Sequence, residues 1–181
     1  PPKISIVLPT FNASSTVVRT LASLQMQTLR TIEILVVNDA STDGTQDLVE
    51  RIAADDDRII VINKTTNGGI YAARATGIAR ATAPWIGFLD DDDLAHPSMH
   101  ETMLDYAIQT NADIVMCESR RLDETGKLSG WNPRYGSNHV IDDALFERFC
   151  SREFGPSYLW NKLFRAPLIK QHGTMVFDER Y

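Results

Sequence analysis

The chain has 181 residues, enough for one domain with a sizeable core. Its hydrophobic fraction of 43% and charged fraction of 23% are ordinary for a soluble globular chain. A formal net charge of −6 argues against a nucleic-acid partner, which needs a basic face.

Residues 3–8 (Lys-Ile-Ser-Ile-Val-Leu) are rich in β-branched side chains and stop at Pro9, which predicts a first strand. Thr10 to Ser14 read as a loop. Ser14 or Ser15 is placed to cap a helix whose apolar face is Val17, Leu21 and Leu24. Residues 32–37 form a second strand ending in Asn38-Asp39. Ser41, Thr42 and Asp43 then offer caps to a helix carrying Leu48, Val49 and Ile52. A third strand over 58–62 precedes the turn Thr66-Asn67-Gly68-Gly69 and a helix through Ile70, Ala73, Gly77, Ile78 and Ala81. Residues 85–89 (Trp-Ile-Gly-Phe-Leu) read as a short strand buried on both faces, and they run into four carboxylates, Asp90 to Asp93. Pro97 suits the first turn of the next helix. Ser98 and Glu101 are spaced as a capping box, and Met99, Met103 and Tyr106 form its buried stripe. A fifth strand covers 113–117.

Strand and helix alternate up to this point, which predicts a parallel sheet with helices on its faces. After Glu118 the pattern turns irregular. Asp123 to Gly126 read as a hairpin turn, 130–136 as an aromatic-bearing loop, 141–149 as a short helix and Gly155-Pro156 as a break. Residues 159–164 are a strand or an irregular segment, and 166–171 a short helix. The expected organisation is one domain. Residues 1–117 would be a ligand-binding half, and 118–181 a second half covering the sheet edge. Cys117 and Cys150 make no metal or disulfide pattern, so a reducing compartment is expected. No apolar run is long enough to span a membrane and no signal peptide opens the chain.

In an open α/β sheet the ligand sits at the carboxyl ends of the strands, so the loops there carry the chemistry. Four adjacent carboxylates repel one another, and a divalent cation removes that repulsion. An all-oxygen ligand set suits Mg²⁺ or Mn²⁺, which share their coordination with substrate phosphates. The first loop has neither G-x-G-x-x-G nor a Walker A sequence. It offers Thr10, Phe11 and Asn12: a hydroxyl, an aromatic face and an amide, groups that can hold a base and ribose. Asp39 can accept from a pyrimidine N–H or a ribose hydroxyl. Asn67, Gly68 and Gly69 permit close backbone approach, and Arg74 can pair with the acidic cluster or with a phosphate.

Four ordered segments carry a resemblance: 5–12 (Ser-Ile-Val-Leu-Pro-Thr-Phe-Asn), 36–45 (Val-Val-Asn-Asp-Ala-Ser-Thr-Asp-Gly-Thr), Asn67-Gly68-Gly69 with Ala73-Arg74, and 87–93. Together they resemble the family 2 glycosyltransferases with the GT-A fold, over nearly the whole chain. Residues 159–165 also look like the later Trp-Asn-Lys segment of the bacterial polysaccharide and cell-wall branch. The resemblance implies a three-layer α/β/α sandwich with a mostly parallel central sheet. It implies a nucleotide-diphosphate sugar donor, often a UDP-sugar, with Pro9, Thr10, Phe11, Asn12 and Asp39 around the nucleoside. Asp90 and Asp92 match the family's Asp-x-Asp. Asp92 would be the direct metal ligand, and Asp90 or Asp91 would face the ribose or diphosphate. The family reaction is an inverting displacement assisted by the metal, with a carboxylate base.

Two departures stand out. Ala75 replaces the Asn that commonly follows the motif Arg. The family's base usually follows a Phe-x-Glu segment by several residues, and Phe177-Asp178-Glu179 lies at the end of this chain. The base is therefore expected beyond Tyr181. Trp131, Tyr135 and Trp160 are candidates to hold a saccharide or lipid-linked saccharide acceptor, and Lys162 to approach the diphosphate or the acceptor. A cytoplasmic location is expected, with room for peripheral attachment to the inner membrane face through regions outside the chain. The competing readings are a nucleotide-sugar-binding module without the base and a sugar-nucleotide pyrophosphorylase. The latter needs a Gly-rich, basic first loop, which Pro9 to Asn12 is not.

Overall fold

The computed structural model describes residues 1–123, 125–129 and 159–176. The alternation read from the sequence is realised as β1 (Ile4–Thr10), α1 (Val17–Gln25), β2 (Ile32–Asn38), α2 (Thr45–Ala54), β3 (Ile59–Asn63), α3 (Gly69–Arg80), β4 (Trp85–Phe88), α4 (Met99–Thr110) and β5 (Ile114–Met116). There follow β6 (Arg121–Leu122), β7 (Leu128–Ser129), β8 (Lys162–Arg165) and α5 (Ala166–Val176).

The main sheet has the order β3-β2-β1-β4-β8-β5. β1 pairs in parallel with β2 and β4, and β2 with β3; β8 alone runs antiparallel, between β4 and β5. Every residue of β1, β2 and β4 is buried, as expected for strands covered on both faces. Alternate side chains separate into two cores. Ile4, Ile6, Leu8, Ile34 and Val36 pack with Val17, Leu21, Leu24, Val49 and Met103, which come from α1, α2 and α4. Val7, Leu35, Ile86 and Phe88 pack on the opposite face with Ile78 of α3 and Ile169 of α5. This is the three-layer α/β/α sandwich with a mostly parallel sheet. The chain steps outward from β1 to β3, then returns through α3 to place β4 on the other side of β1. Such a reversal of strand order opens a crevice at the carboxyl ends of the strands.

α3 comes close to the sheet at Gly77. A Cβ there would lie 2.4 Å from Val7 Cγ1, and Val7 is fully buried and β-branched. Gly77→Ala should therefore overpack the core and lower the unfolding free energy by about 2 kcal/mol, despite the better helix propensity of alanine. A urea melt with an unchanged midpoint would show that α3 can lift off β1 freely.

Three capping expectations are corrected. At α1 the first-turn cap is Thr16, not Ser14 or Ser15, and no side chain caps it. At α2 the cap position is Gly44, with φ 87°; Asp43 accepts from the Thr45 N–H at 3.1 Å and from the Ser14 N–H at 3.0 Å, so it joins two loops. Ser98 does occupy the α4 cap position, but its hydroxyl pairs with His96 Nδ1, while Glu101 accepts from Thr28 Oγ1. Glu101 is drawn to a tertiary partner, Asp43 adds one to its local bond with Thr45, and Ser98 keeps a local one. The hairpin at Asp123 to Gly126 is present: Gly126 N–H donates to Asp123 O at 2.9 Å, joining β6 to β7. The C-terminal part does not simply cover an edge: β8 is built into the sheet, and α5 runs on to Val176, past the expected 166–171. The expected loop over 130–136, helix over 141–149 and break at 155–156 lie outside the described residues. Among the described residues no helix is long and apolar enough to cross a membrane.

Candidate functional site

A cleft of about 410 Å³ opens at the carboxyl ends of β1, β2 and β4, within the size range of small-molecule sites. Pro9, Thr10 and Phe11 from the end of β1 line it between two acidic walls, Asp39 on one side and Asp90 with Asp91 on the other. Asn67, Gly69, Ile70 and Ala73 close it from the start of α3. Phe11 is about half exposed and presents its ring to the opening.

Asp39 is nearly sealed, at 3% exposure. Its Oδ2 accepts from the N–H of Gly69 at 2.8 Å and of Gly68 at 3.1 Å, and its Oδ1 accepts from the Lys64 ammonium. Burial pushes its pKa up, but the Lys64 hydrogen bond and the two glycine amides outweigh burial, so the carboxyl titrates below its usual range. Across the cleft, Arg74 Nη2 donates to Asp90 Oδ1 at 2.6 Å, with Arg74 itself buried. Phe11 N–H donates to Asp91 Oδ2 at 3.2 Å.

The acidic loop is held from beneath by a polar stripe on α1 and the turn after it. Thr20 Oγ1 donates to Asp91 O at 3.0 Å, Ser23 Oγ accepts from Ala95 N–H at 3.1 Å, and Gln27 Nε2 donates to His96 O at 2.8 Å. Arg19 adds a bond to Asp92 O at 3.3 Å. Thr20, Ser23 and Gln27 are buried, which is tolerable only because each has these partners.

Within that loop Asp91 and Asp93 are both harder to ionise than a free aspartate. Burial is the main cause and the neighbouring carboxylates add to it; for Asp93 the value reaches about 6. A folded-state pKa above the unfolded 3.8 means that the native state holds the extra proton. Asp93 should therefore add about 1 kcal/mol of stability as pH falls from 7 towards 5, after allowance for solvent screening. Buried His100, pushed down to about 4, acts in the opposite direction over the same range, so the Asp93 contribution is read as the difference between the unaltered chain and Asp93→Asn in thermal melts in EDTA at pH 7 and pH 5. A difference that does not change between the two pH values would contradict the assignment.

Of the residues expected at the site, Pro9, Thr10, Phe11, Asp39, Asn67, Asp90 and Asp91 line one cleft. Gly68 and Arg74 stand directly behind it, bonded to its two acidic walls. Asn12 is turned away: at φ 52° its Oδ1 accepts from Thr42 N–H at 2.8 Å and its own N–H donates to Ser41 Oγ, so it ties the β1 loop to the β2 loop. Asp92 follows Asp90 and Asp91 in the loop, is exposed and does not line the cleft. Lys162 is buried at the start of β8, donates to Asn161 Oδ1 at 2.9 Å, and is pushed by burial down to about 8. It does not line the cleft, and neither does half-buried Trp160. Trp131, Tyr135, Asp178 and Glu179 lie outside the described residues. The sequence reading missed Lys64, Ile70 as a wall, and the α1 stripe. Only the last had a signal, since hydroxyl and amide residues at positions 20, 23 and 27 recur at helical spacing.

The oxygens of Asp90 to Asp92 are the donor type that a hard cation takes. Among the described residues no three His, Cys, Asp or Glu side chains gather into a ready-made cation site, so most of the coordination shell would have to come from ligand and water.

The family model for glycosyl transferase family 2 matches residues 5–172. The chain is 32% identical over 181 residues to the uncharacterized glycosyltransferase EpsJ of Bacillus subtilis, covering 98% of this chain and 52% of that protein. It is 36% identical to a GalNAc(5)-diNAcBac-PP-undecaprenol beta-1,3-glucosyltransferase of Campylobacter jejuni, covering 96% and 58%. The fold is similar to S. aureus TarS residues 1–349 in complex with UDP-GlcNAc, with TM-score 0.75, 20% identity, and 94% and 47% of the two chains covered. It is also similar to the mannosyltransferase PcManGT of Pyrobaculum calidifontis in complex with GDP-Man and Mn²⁺, with TM-score 0.70, 19% identity, and 95% and 47% covered. The chain thus spans about half the length of the curated relatives it matches. With the ordered motifs, the strand order and a match across nearly its whole length, this chain belongs to glycosyl transferase family 2 and has the GT-A fold.

Proposed function

We propose that the cleft binds a nucleotide-diphosphate sugar, of UDP type, and that the protein transfers the sugar to a saccharide or lipid-linked saccharide with inversion. One observation carries the reading: a carboxylate that can take a base N–H and a second acidic wall suited to a metal-bound diphosphate face each other across a single cleft. Asp39 accepts from the base or ribose, Phe11 covers the base, and the Gly69 region allows the ligand close to the backbone. Asp90 is held by Arg74 and Asp91 by Phe11 N–H, so both carboxylates are oriented before any ligand arrives, which avoids reorganisation at the moment of reaction. The names of the relatives support a saccharide acceptor, and the nucleotide-sugar complexes of the structural neighbours support the donor class.

A bound Mg²⁺ or Mn²⁺ would neutralise charge on the departing diphosphate, and Asp92, with help from Asp90 or Asp91, is the residue set that would hold it. Because protein oxygens alone do not close such a site, metal and nucleotide should each tighten the binding of the other by the same factor. Calorimetric titration of UDP in EDTA and in millimolar Mn²⁺ measures that factor. Asp92→Asn removes a charge at nearly constant volume and should bring the factor to one. Equal UDP affinity in EDTA and Mn²⁺ for the unaltered chain would remove the metal from the proposal. Absence of UDP binding under both conditions would remove the UDP-type donor.

A further inference from the structure

We propose that Lys64 fixes the charge and the aim of Asp39, and through it the choice of base, and that position 68 is glycine to make room for the Lys64 ammonium. The inference rests on the reading of the cleft as a nucleotide site, and adds a positioning residue and a basis for selectivity.

A carboxylate as enclosed as Asp39 would relieve its burial by taking a proton or by turning towards water. Lys64 prevents both. Its backbone is fixed just past β3, where its N–H donates to Asn38 O at 2.9 Å, and its side chain reaches Asp39 Oδ1 at only 19% exposure. The other charged groups around the cleft do not do this work: Arg74 of α3 is committed to Asp90, and Asp90 and Asp91 stand on the opposite wall. Among the described residues Lys64 is the cation that pairs with Asp39. An ionised carboxylate is acceptor-only, whereas a protonated one also donates. Held ionised, Asp39 takes the ring N–H of uracil and repels the bare ring nitrogen that cytosine puts in the same place.

Gly68 carries the second part of the argument. Its φ of −115° is open to any residue, unlike the +80° of Gly69, so backbone conformation does not explain it. A Cβ at position 68 would lie 2.8 Å from Lys64 Nζ and 3.0 Å from Ala72 Cβ. The lysine head is the end of a flexible chain and is what yields. Gly68→Ala should therefore push the ammonium off Asp39 while the turn survives. Changes at two positions thus act on one contact.

The test is calorimetric titration of UDP and of CDP, with Mn²⁺, into the unaltered chain, Lys64→Met, Gly68→Ala and the double variant, each first shown to be folded by its thermal melt. The unaltered chain should prefer UDP over CDP by about tenfold or more. Lys64→Met should weaken UDP about tenfold and leave CDP nearly unchanged, so that the preference collapses. Gly68→Ala should likewise weaken UDP and leave CDP nearly unchanged, and adding it to Lys64→Met should change little, because the contact is already gone. Equal losses for UDP and CDP would mark Lys64 as merely structural and overturn the proposal. So would an unchanged UDP affinity, or losses that multiply in the double variant. An unaltered chain that binds neither nucleotide overturns the nucleotide-site reading and this assignment with it. A normal UDP preference that survives both substitutions overturns this assignment alone.

Discussion

Asp39→Ala should weaken UDP binding by about two orders of magnitude, or about 3 kcal/mol, taking it out of calorimetric range in a chain that still folds. The size follows from burial: Asp39 is 3% exposed, so a base that loses this acceptor cannot recruit bulk water in its place. The fold should survive because the groups released are at the cleft surface. The N–H groups of Gly68 and Gly69 then face the opening, and Lys64 can extend to solvent. Asp39→Asn is the companion experiment. It keeps the shape but replaces one acceptor oxygen with a donor, so it should lose nearly as much affinity as alanine if acceptance from the base is the point. A UDP affinity within twofold of the unaltered chain would place the base elsewhere.

Arg74→Met should be the most destabilising of the substitutions considered. Arg74 and Asp90 form a short pair with side chains only 10% and 27% exposed, and three further aspartates follow Asp90 directly. Methionine keeps the apolar stem and removes the charge. That strands Asp90 among like charges, and breaking such a pair costs about 3 kcal/mol, or a melting-temperature drop of roughly 6–12 °C. Millimolar Mn²⁺ with UDP should recover part of the loss, since ligands that bind the folded state raise its stability. Arg74→Lys should rescue incompletely, because the ammonium lacks the planar fork of the guanidinium. A loss below about 1 kcal/mol would show that the pair behaves as a solvated surface bridge.

The four parallel strands and their helices were legible because each uses a periodicity that one element can satisfy: β-branched runs for strands buried on both faces, and 3–4 spacing for the helices over them. The acidic loop was legible because carboxylates directly after such a strand must lie at its carboxyl end. The caps were misjudged at the level of side-chain partners. Ser, Thr and Asp near a helix start can take several partners equally well, and Asp43 and Glu101 accept from donors elsewhere in the fold, Ser14 N–H and Thr28 Oγ1. Lys64 carried no signal at all. A lysine just past a strand reads as solvated, and only the three-dimensional return of the chain at Gly68 shows that it points inward. The place of β8 was likewise invisible, since its neighbours in the sheet, β4 and β5, are distant in the chain.

That late strand has a consequence for how the protein is made. Among the described residues β5 finds a strand partner only in β8, and β4 has an open flank until β8 arrives. A ribosome adding about 5–20 residues per second needs roughly 2–9 s to travel from Met116 to Lys162. During that interval β1 to β4 can already assemble, while two strand edges that will end up in the middle of the sheet stay unpaired and able to join another chain. Nascent chains are thus most prone to aggregation when β1 to β5 are complete and β8 has not yet emerged from the ribosome.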